Sequence, residues 1–295
     1  MSSPALAVLF TMNCMAPARA RRVNLRPRTW TMSARSIDSF CSTLLSSGQR
    51  PTLFCALPVV ANHTPLLEEY ADAGAEIGLL LDPADLHANL RHQLGHYGRD
   101  DQREIVRASI HHFTQLFRSR PRSVRTVEFS ASDDTFGVLR DSGFLQGSVS
   151  SPGRRVSKYQ AMWEGAIPDP HLAARDDKLG AGDLEFLEIP VTTDANQSAG
   201  GVAPELNLDI GDFSKWHWPL AQGQLDRMER EGVGFRALCW LASNGAPYGD
   251  SAGTSARALA SAIDYVDTLH SRFEVRPLTV AAAHTDFRRE VTTAC

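Results

Sequence analysis

The chain alternates short, uniformly apolar runs with longer stretches whose apolar residues recur at helical spacing. Residues 5–12 form the first run and read as a buried strand. Ile37, Phe40, Cys41, Leu44 and Leu45 then fall on one helical face, with Ser33 as the expected cap and Gly48 as the stop. Residues 51–57 are a second strand, and Asn62 is placed to cap a helix that turns Leu66, Leu67 and Tyr70 inward and ends at Gly74. Residues 76–81 are a third strand, halted by Asp82-Pro83. Residues 101–117 follow as a helix burying Ile105, Ser109, Phe113 and Leu116, and 124–129 as a strand. Ser132 then opens a short helix carrying Phe136 and Leu139, closed by Gly143. Further strands are expected at 186–191, 235–241 and 275–280, with helices over 216–231 and through Leu259, Ile263, Val266 and Leu269.

Apolar runs of strand length alternating with amphipathic helices predict a parallel sheet covered by helices. Seven or eight such units point to a closed (β/α) barrel, read as one domain over 1–295. Residues 150–182, rich in Pro, Gly and charge, read as a long excursion from it. Chemistry in such a barrel belongs at the C-terminal strand ends and the loops after them. That rule selects Asn13, Asp82, Arg125–Glu128, Thr192–Asp194 and Ser243–Asn244.

Composition changes this picture little. Of 295 residues, 43% are hydrophobic and 22% charged, as in ordinary globular chains. The net charge of −4 gives no reason to expect a nucleic-acid partner. One local basic cluster, Arg19, Arg21, Arg22, Arg26 and Arg28, reads either as a solvated loop or as a cap over an anionic ligand. Five cysteines (Cys14, Cys41, Cys55, Cys239 and Cys295) lack any CxxC spacing and read as reduced thiols. No run is long enough to span a bilayer, and residues 5–12 lack the charged flank and cleavage site of a leader. A cytoplasmic location is expected.

At the strand ends the sequence resembles the polysaccharide deacetylase family. Gly74-Ala-Glu-Ile-Gly-Leu-Leu-Leu-Asp-Pro83 is similar to the family's Gly-His-Glu-Ile-Gly-x-His segment. Arg120-Pro121 leading to Ser123-Val-Arg-Thr126 resembles its arginine-bearing strand. Gly143-Phe144 with Ser148-Val149, and Leu187-Glu-Ile-Pro190, resemble two later strands. The resemblance implies a distorted (β/α)7-8 barrel of the polysaccharide deacetylase type. It also implies hydrolysis of an acetamido carbon–nitrogen bond by a divalent metal, usually zinc, held by one Asp and two His. An Asp base and a late His acid would complete the site. The chain departs from that pattern where the chemistry lies. The family's base and ligand Asp fall on Asn13 and Cys14, its two histidines on Leu80 and Ala84, and its late histidine on Ser243. No metal or other cofactor is therefore expected.

Replacement candidates remain for a small-molecule substrate at the barrel mouth. Arg125, Asp82, Glu128, Asp194 and His217 are the candidate catalytic residues. Asn13, Trp216, Trp218 and Asn244 are candidates for substrate binding. Asp82 also reads as a turn former and Glu128 as an ion-pair partner of Arg125, while His217 also reads as a structural histidine. His92 and His96 are spaced as a metal pair on a helix would be, or lie on an exposed stretch. Cys14 would be a nucleophile only with a lowered pKa and access. Two functions remain open: a divergent, metal-independent hydrolase, or a non-catalytic pseudoenzyme that binds a ligand in the same pocket. The oligomeric state is left open.

Overall fold

The architecture is that of a computed structural model describing residues 4–17, 26–197, 200–210 and 212–293. β1 (Ala5–Cys14) is buried along nearly its whole length, as a central parallel strand must be. α1 (Trp30–Ser46) follows, and its cap is Thr29, whose hydroxyl accepts from the Met32 amide. Ser33, the expected cap, instead lies inside the helix and is fully buried. β2 (Thr52–Cys55) leads into α2 (Leu57–Asp72), which starts five residues before Asn62 because Pro58 sits in its first turn. The helix kinks at His63, two residues before Pro65.

β3 (Glu76–Leu81), α3 (Arg99–Phe117) and β4 (Ser123–Thr126) match the expected alternation. β4 is shorter than expected, because the chain turns through Val127–Phe129 with Glu128 and Phe129 both at φ 57°. α4 (Thr135–Asp141) and β5 (Gln146–Gly147) come next. Asp134, not Ser132, holds the cap position of α4. The excursion contains a hairpin, β6 (Arg155–Val156) with β7 (Ala161–Met162), and then β8 (His171–Leu172). β9 (Leu187–Glu188) pairs antiparallel with β8 and parallel with β5. A π-helical turn, Phe213–His217, precedes α5 (Trp218–Arg230). β10 (Ala237–Ser243), α6 (Thr254–Leu269) and β11 (Glu274–Pro277) complete the alternation. Val280, read as strand from the sequence, begins a further helix, α7 (Val280–Thr293).

The main sheet runs β10-β1-β2-β3-β4-β5-β9-β8, with β11 also pairing β1. Among the described residues between β9 and β10 no regular strand closes the barrel. Single bonds do so instead: the Thr192 amide donates to the Cys239 carbonyl at 3.1 Å. The Leu208 amide donates to Leu241 O, and the Leu241 amide to Leu206 O. The result is a distorted (β/α) barrel. Its interior is filled in layers. Phe54 fits beside Gly78 because a Cβ there would sit 3.0 Å from the ring. At the N-terminal end Thr52, Glu76, Ser123 and Gln146 form a polar layer. Glu76 accepts from Thr52, from Ser123 and, at 2.8 Å, from the Ala281 amide of α7. α7 thereby plugs this end. No helix among the described residues is long and apolar enough to cross a membrane.

Candidate functional site at the barrel mouth

Register decides which side chains enter the barrel. Asn13 pairs with Ser243 on one side and Phe54 on the other, and Leu80 pairs with Arg125. Thr11 and Asn13 both accept bonds from Arg125, so alternate residues Met12 and Cys14 face outward. Cys14 is accordingly fully buried in the layer containing Cys55 and Cys41, where burial pushes its thiol well up. Its nucleophile reading fails on both access and acidity.

Arg125 lies across the barrel axis with no exposed surface. Its Nη1 donates to Thr11 Oγ1 at 3.0 Å and Asn13 Oδ1 at 3.1 Å. Its Nε and Nη2 donate to Ser148 O at 2.9 Å and Ser148 Oγ at 2.7 Å. The guanidinium stacks 4.5 Å from the Phe54 ring centre. Burial lowers it to about 10, opposed by Cys239, Glu188 and Glu205, so it stays a cation at neutral pH. Glu188 accepts from the Val149 and Ser150 amides and from Ser150 Oγ. Burial nevertheless raises its carboxyl to about 7.

A second group of polar side chains comes from a segment that sequence reasoning passed over. Glu205-Leu-Asn-Leu-Asp209 alternates, with Leu206 and Leu208 buried and Glu205, Asn207 and Asp209 on the other side. That period of two was the available signal, hidden because no long apolar run surrounds it. Asp209 Oδ1 accepts from the Ser243 amide at 3.0 Å and from Tyr248 Oη at 2.7 Å. The residue is half-exposed as a whole, yet Oδ2 is closed to solvent and has no hydrogen-bond partner. Ser243 Oγ, close enough to ease ionisation of Asp209, is likewise without a well-formed partner. Burial raises Asp209 to about 6, with the Glu205 charge adding to the effect. Glu205 Oε1 accepts from Asn207 Nδ2 at 2.9 Å.

The other sequence candidates are dispersed. Asp82 is the turn former: Oδ1 caps the Ala84 amide at 3.1 Å, and Oδ2 pairs with Arg26 at 3.3 Å. Its neighbour Asp85 caps α2 through the Leu57 amide, and burial raises its carboxyl to about 7. Glu128 pairs not with Arg125 but with Arg154 of the excursion, at 2.9 Å, because the left-handed turn carries it away from the barrel axis. Asp194 closes its own turn through the Asn196 amide and Gln197 Nε2. His217 is buried behind the wall against Trp240, with Nε2–H donating to Asn207 O at 2.7 Å. Trp240 is the outward neighbour of inward-facing Leu241 and Cys239, so His217 does not enter the mouth. Burial lowers its pKa. Trp216 and Trp218 flank it, 55% and 48% exposed. Asn244 is 1% exposed and ties Met15 through both its amide and carbonyl, leaving it no surface for substrate. His96 ends a 3₁₀ turn, Leu94–His96, and its Nε2 donates to Lys158 O. His92 lies just before the turn with its ring 5.3 Å from that of His96, and both are exposed. Arg26 and Arg28 are described, whereas Arg19, Arg21, Arg22 and Cys295 lie outside the described residues.

The geometry also bears on the metal implied by this type of barrel. Leu80 and Ala84 offer alkyl groups, and the one oxygen of Asn13 already accepts from a buried cation that would repel a second one. Among the described residues no three His, Cys, Asp or Glu side chains are grouped to hold a metal. The residues present do not fit the group.

Comparison with solved structures matches this architecture over nearly the whole chain. A Mycobacterium smegmatis protein assigned as a polysaccharide deacetylase superposes with a TM-score of 0.65 at 17% identity, covering 98% of this chain and 92% of that one. This chain has the polysaccharide deacetylase fold. The PuuE allantoinase matches with a TM-score of 0.61 at 13% identity, over 96% and 90% of the two chains. A Pseudomonas aeruginosa PAO1 protein, also assigned as a polysaccharide deacetylase, gives 0.60 at 14% identity, over 97% and 91%. No protein-family model matches the sequence, and no curated protein does. The deacetylase fold is thus shared at identities where side-chain chemistry is free to differ.

Proposed function

We propose that the chain is a divergent hydrolase on the deacetylase scaffold, cleaving a carbon–nitrogen bond in a small amide- or amine-bearing substrate without a metal. The observation that carries this reading is Asp209: a carboxylate raised to about 6, with Oδ2 closed to solvent and unpartnered beside the end of β10. A base of that acidity is largely ionised yet strong enough to accept a proton at neutral pH. In the proposed step substrate binding moves the Ser243 hydroxyl aside to uncover Asp209 Oδ2. That oxygen takes a proton from water as the water oxygen bonds to the amide carbon. The carbon–nitrogen bond then breaks and the leaving nitrogen takes that proton from Asp209. Tyr248 and the Ser243 amide orient the carboxylate, and Arg125 fixes Asn13 and Ser148 around the mouth. The four described cysteines are all free and buried, in keeping with a reducing cytoplasm.

The test is turnover of a panel of N-acetylated amino sugars and other small amides, with and without a chelator. Wild-type turnover is expected to survive chelation and to fall by about 10²-fold or more in Asp209→Asn. Equal turnover by the variant, or chelator-sensitive turnover, overturns the proposal. A wild type that binds panel members without converting any would instead favour a non-catalytic binding barrel.

A further inference from the structure

A cavity of about 600 Å³ opens at the end of the barrel opposite the mouth. It lies between the residues leading into β4, the start of β5 and the first turns of α7. Its polar lining is Arg120, Arg122, His284, Gln146, Thr279 and Thr285, and no Asp or Glu lines it. This is unexpected in a chain of net charge −4. The nearest carboxylates stand behind the lining: Glu76, raised by burial, accepts from the Ala281 amide, and Glu185 acts on His284 from outside it.

The donors at this cavity come from side chains and not from the helix end. The first-turn amides of α7 are already used, Val280 by Thr52 Oγ1, Ala281 by Glu76 and Ala282 by Thr279 Oγ1. Arg120 is held in place by donation to Ser142 O, and it packs so closely on Gly143 that a Cβ there would lie 2.7 Å from Nη2. Gly143 at φ 92° suits that approach. One anchoring bond leaves most of the five guanidinium donors for the cavity the residue lines. Arg122, on the same short connection, is exposed. Two guanidiniums on one rigid rim, with amide and hydroxyl groups beyond them, form a fork suited to paired anionic oxygens.

We infer that this cavity binds a small polyanion, through phosphate or clustered carboxylate groups, at a site separate from the barrel mouth. The site does not depend on the hydrolase reading, since none of its residues belongs to the mouth.

Calorimetric titration at low salt with inorganic pyrophosphate and, separately, citrate tests it and separates the two anion sources. One-site saturable binding is expected for at least one probe. Arg120→Ala/Arg122→Ala should weaken it by about tenfold or more, since it removes both sources of charge-assisted hydrogen bonds. Arg107→Ala, which removes an exposed arginine of α3 away from the cavity, should leave binding unchanged. Arg122→Glu provides a single substitution at an exposed position and should abolish binding without unfolding the chain. No saturable binding of either probe, or undiminished binding by the double variant, overturns the inference.

Discussion

Arg125 shows how much a single residue organises here. Its hydrogen bonds go to neutral oxygens and its guanidinium lies over the Phe54 and Phe129 rings, so removing it strands several buried acceptors together. Arg125→Ala is expected to destabilise the chain in urea denaturation by about 1–3 kcal/mol for each buried acceptor left without a donor. An unchanged midpoint would show that water replaces the guanidinium freely. The buried acids give a pH dependence of definite sign. Burial raises Glu188 and Asp85 to about 7 and Asp209 to about 6, each above its unfolded value. On these groups the folded chain therefore holds more protons between about pH 4 and 7, and their contribution to stability falls as pH rises through that window. Burial also depresses His63, His171, His217 and His284, which oppose the acids. The acids are therefore read by difference: the melting temperature at pH 5 minus that at pH 8 should be smaller in Glu188→Gln than in the wild type, and an equal difference would refute it. Arg125 and Asn13 were legible from strand position and family resemblance. Asp209 was not, because the polar side of a short alternating segment carries no signal of where it will dock.

At the scale of elements, one missing Cβ admits a ring. Gly78 gives Phe54 its place under Arg125, so Gly78→Val forces one of the two to move. A loss of about 1–3 kcal/mol is expected from such overpacking. Near-ultraviolet circular dichroism, which reads the Phe54 environment, should change with it; a variant with wild-type spectrum and stability would contradict this packing account. Strands β1, β2 and β3 were legible because burial on both faces leaves an unbroken apolar run. The strand end at 127–129 was misjudged, since its left-handed turn is imposed from outside. Trp163 Nε1 bonds Phe129 O and Arg154 bonds Glu128, and both partners come from the excursion. No helix was expected after the strand at 275–280, so α7 as a whole goes beyond the sequence reading; docking on Glu76 fixes the change of direction at its start.

For the whole molecule, alternation of strands and helices specified the barrel, while closure depends on contacts distant in sequence. β10 joins β1 by a full parallel ladder from Ala7–Ala237 to Asn13–Ser243. Its other side meets the rest of the barrel through the Thr192 and Leu208 amides and the Leu206 carbonyl, while Thr192 Oγ1 and Asp209 Oδ1 accept from the Cys239 and Ser243 amides. The two margins of one strand thus differ in kind: the ladder is main chain throughout, whereas part of the seam ends on side chains of irregular segments. Amide hydrogens along the seam, at Thr192, Leu208 and Leu241, should exchange with solvent deuterium well before those of Leu9 and Met12, a contrast that mass spectrometry of peptic fragments would reveal. Uniform protection on both margins would mean the seam is as strong as the ladder. Because the carboxylates of Glu205 and Asp209 ride on that seam, opening there would part the mouth like a zip, leaving the plugged end shut.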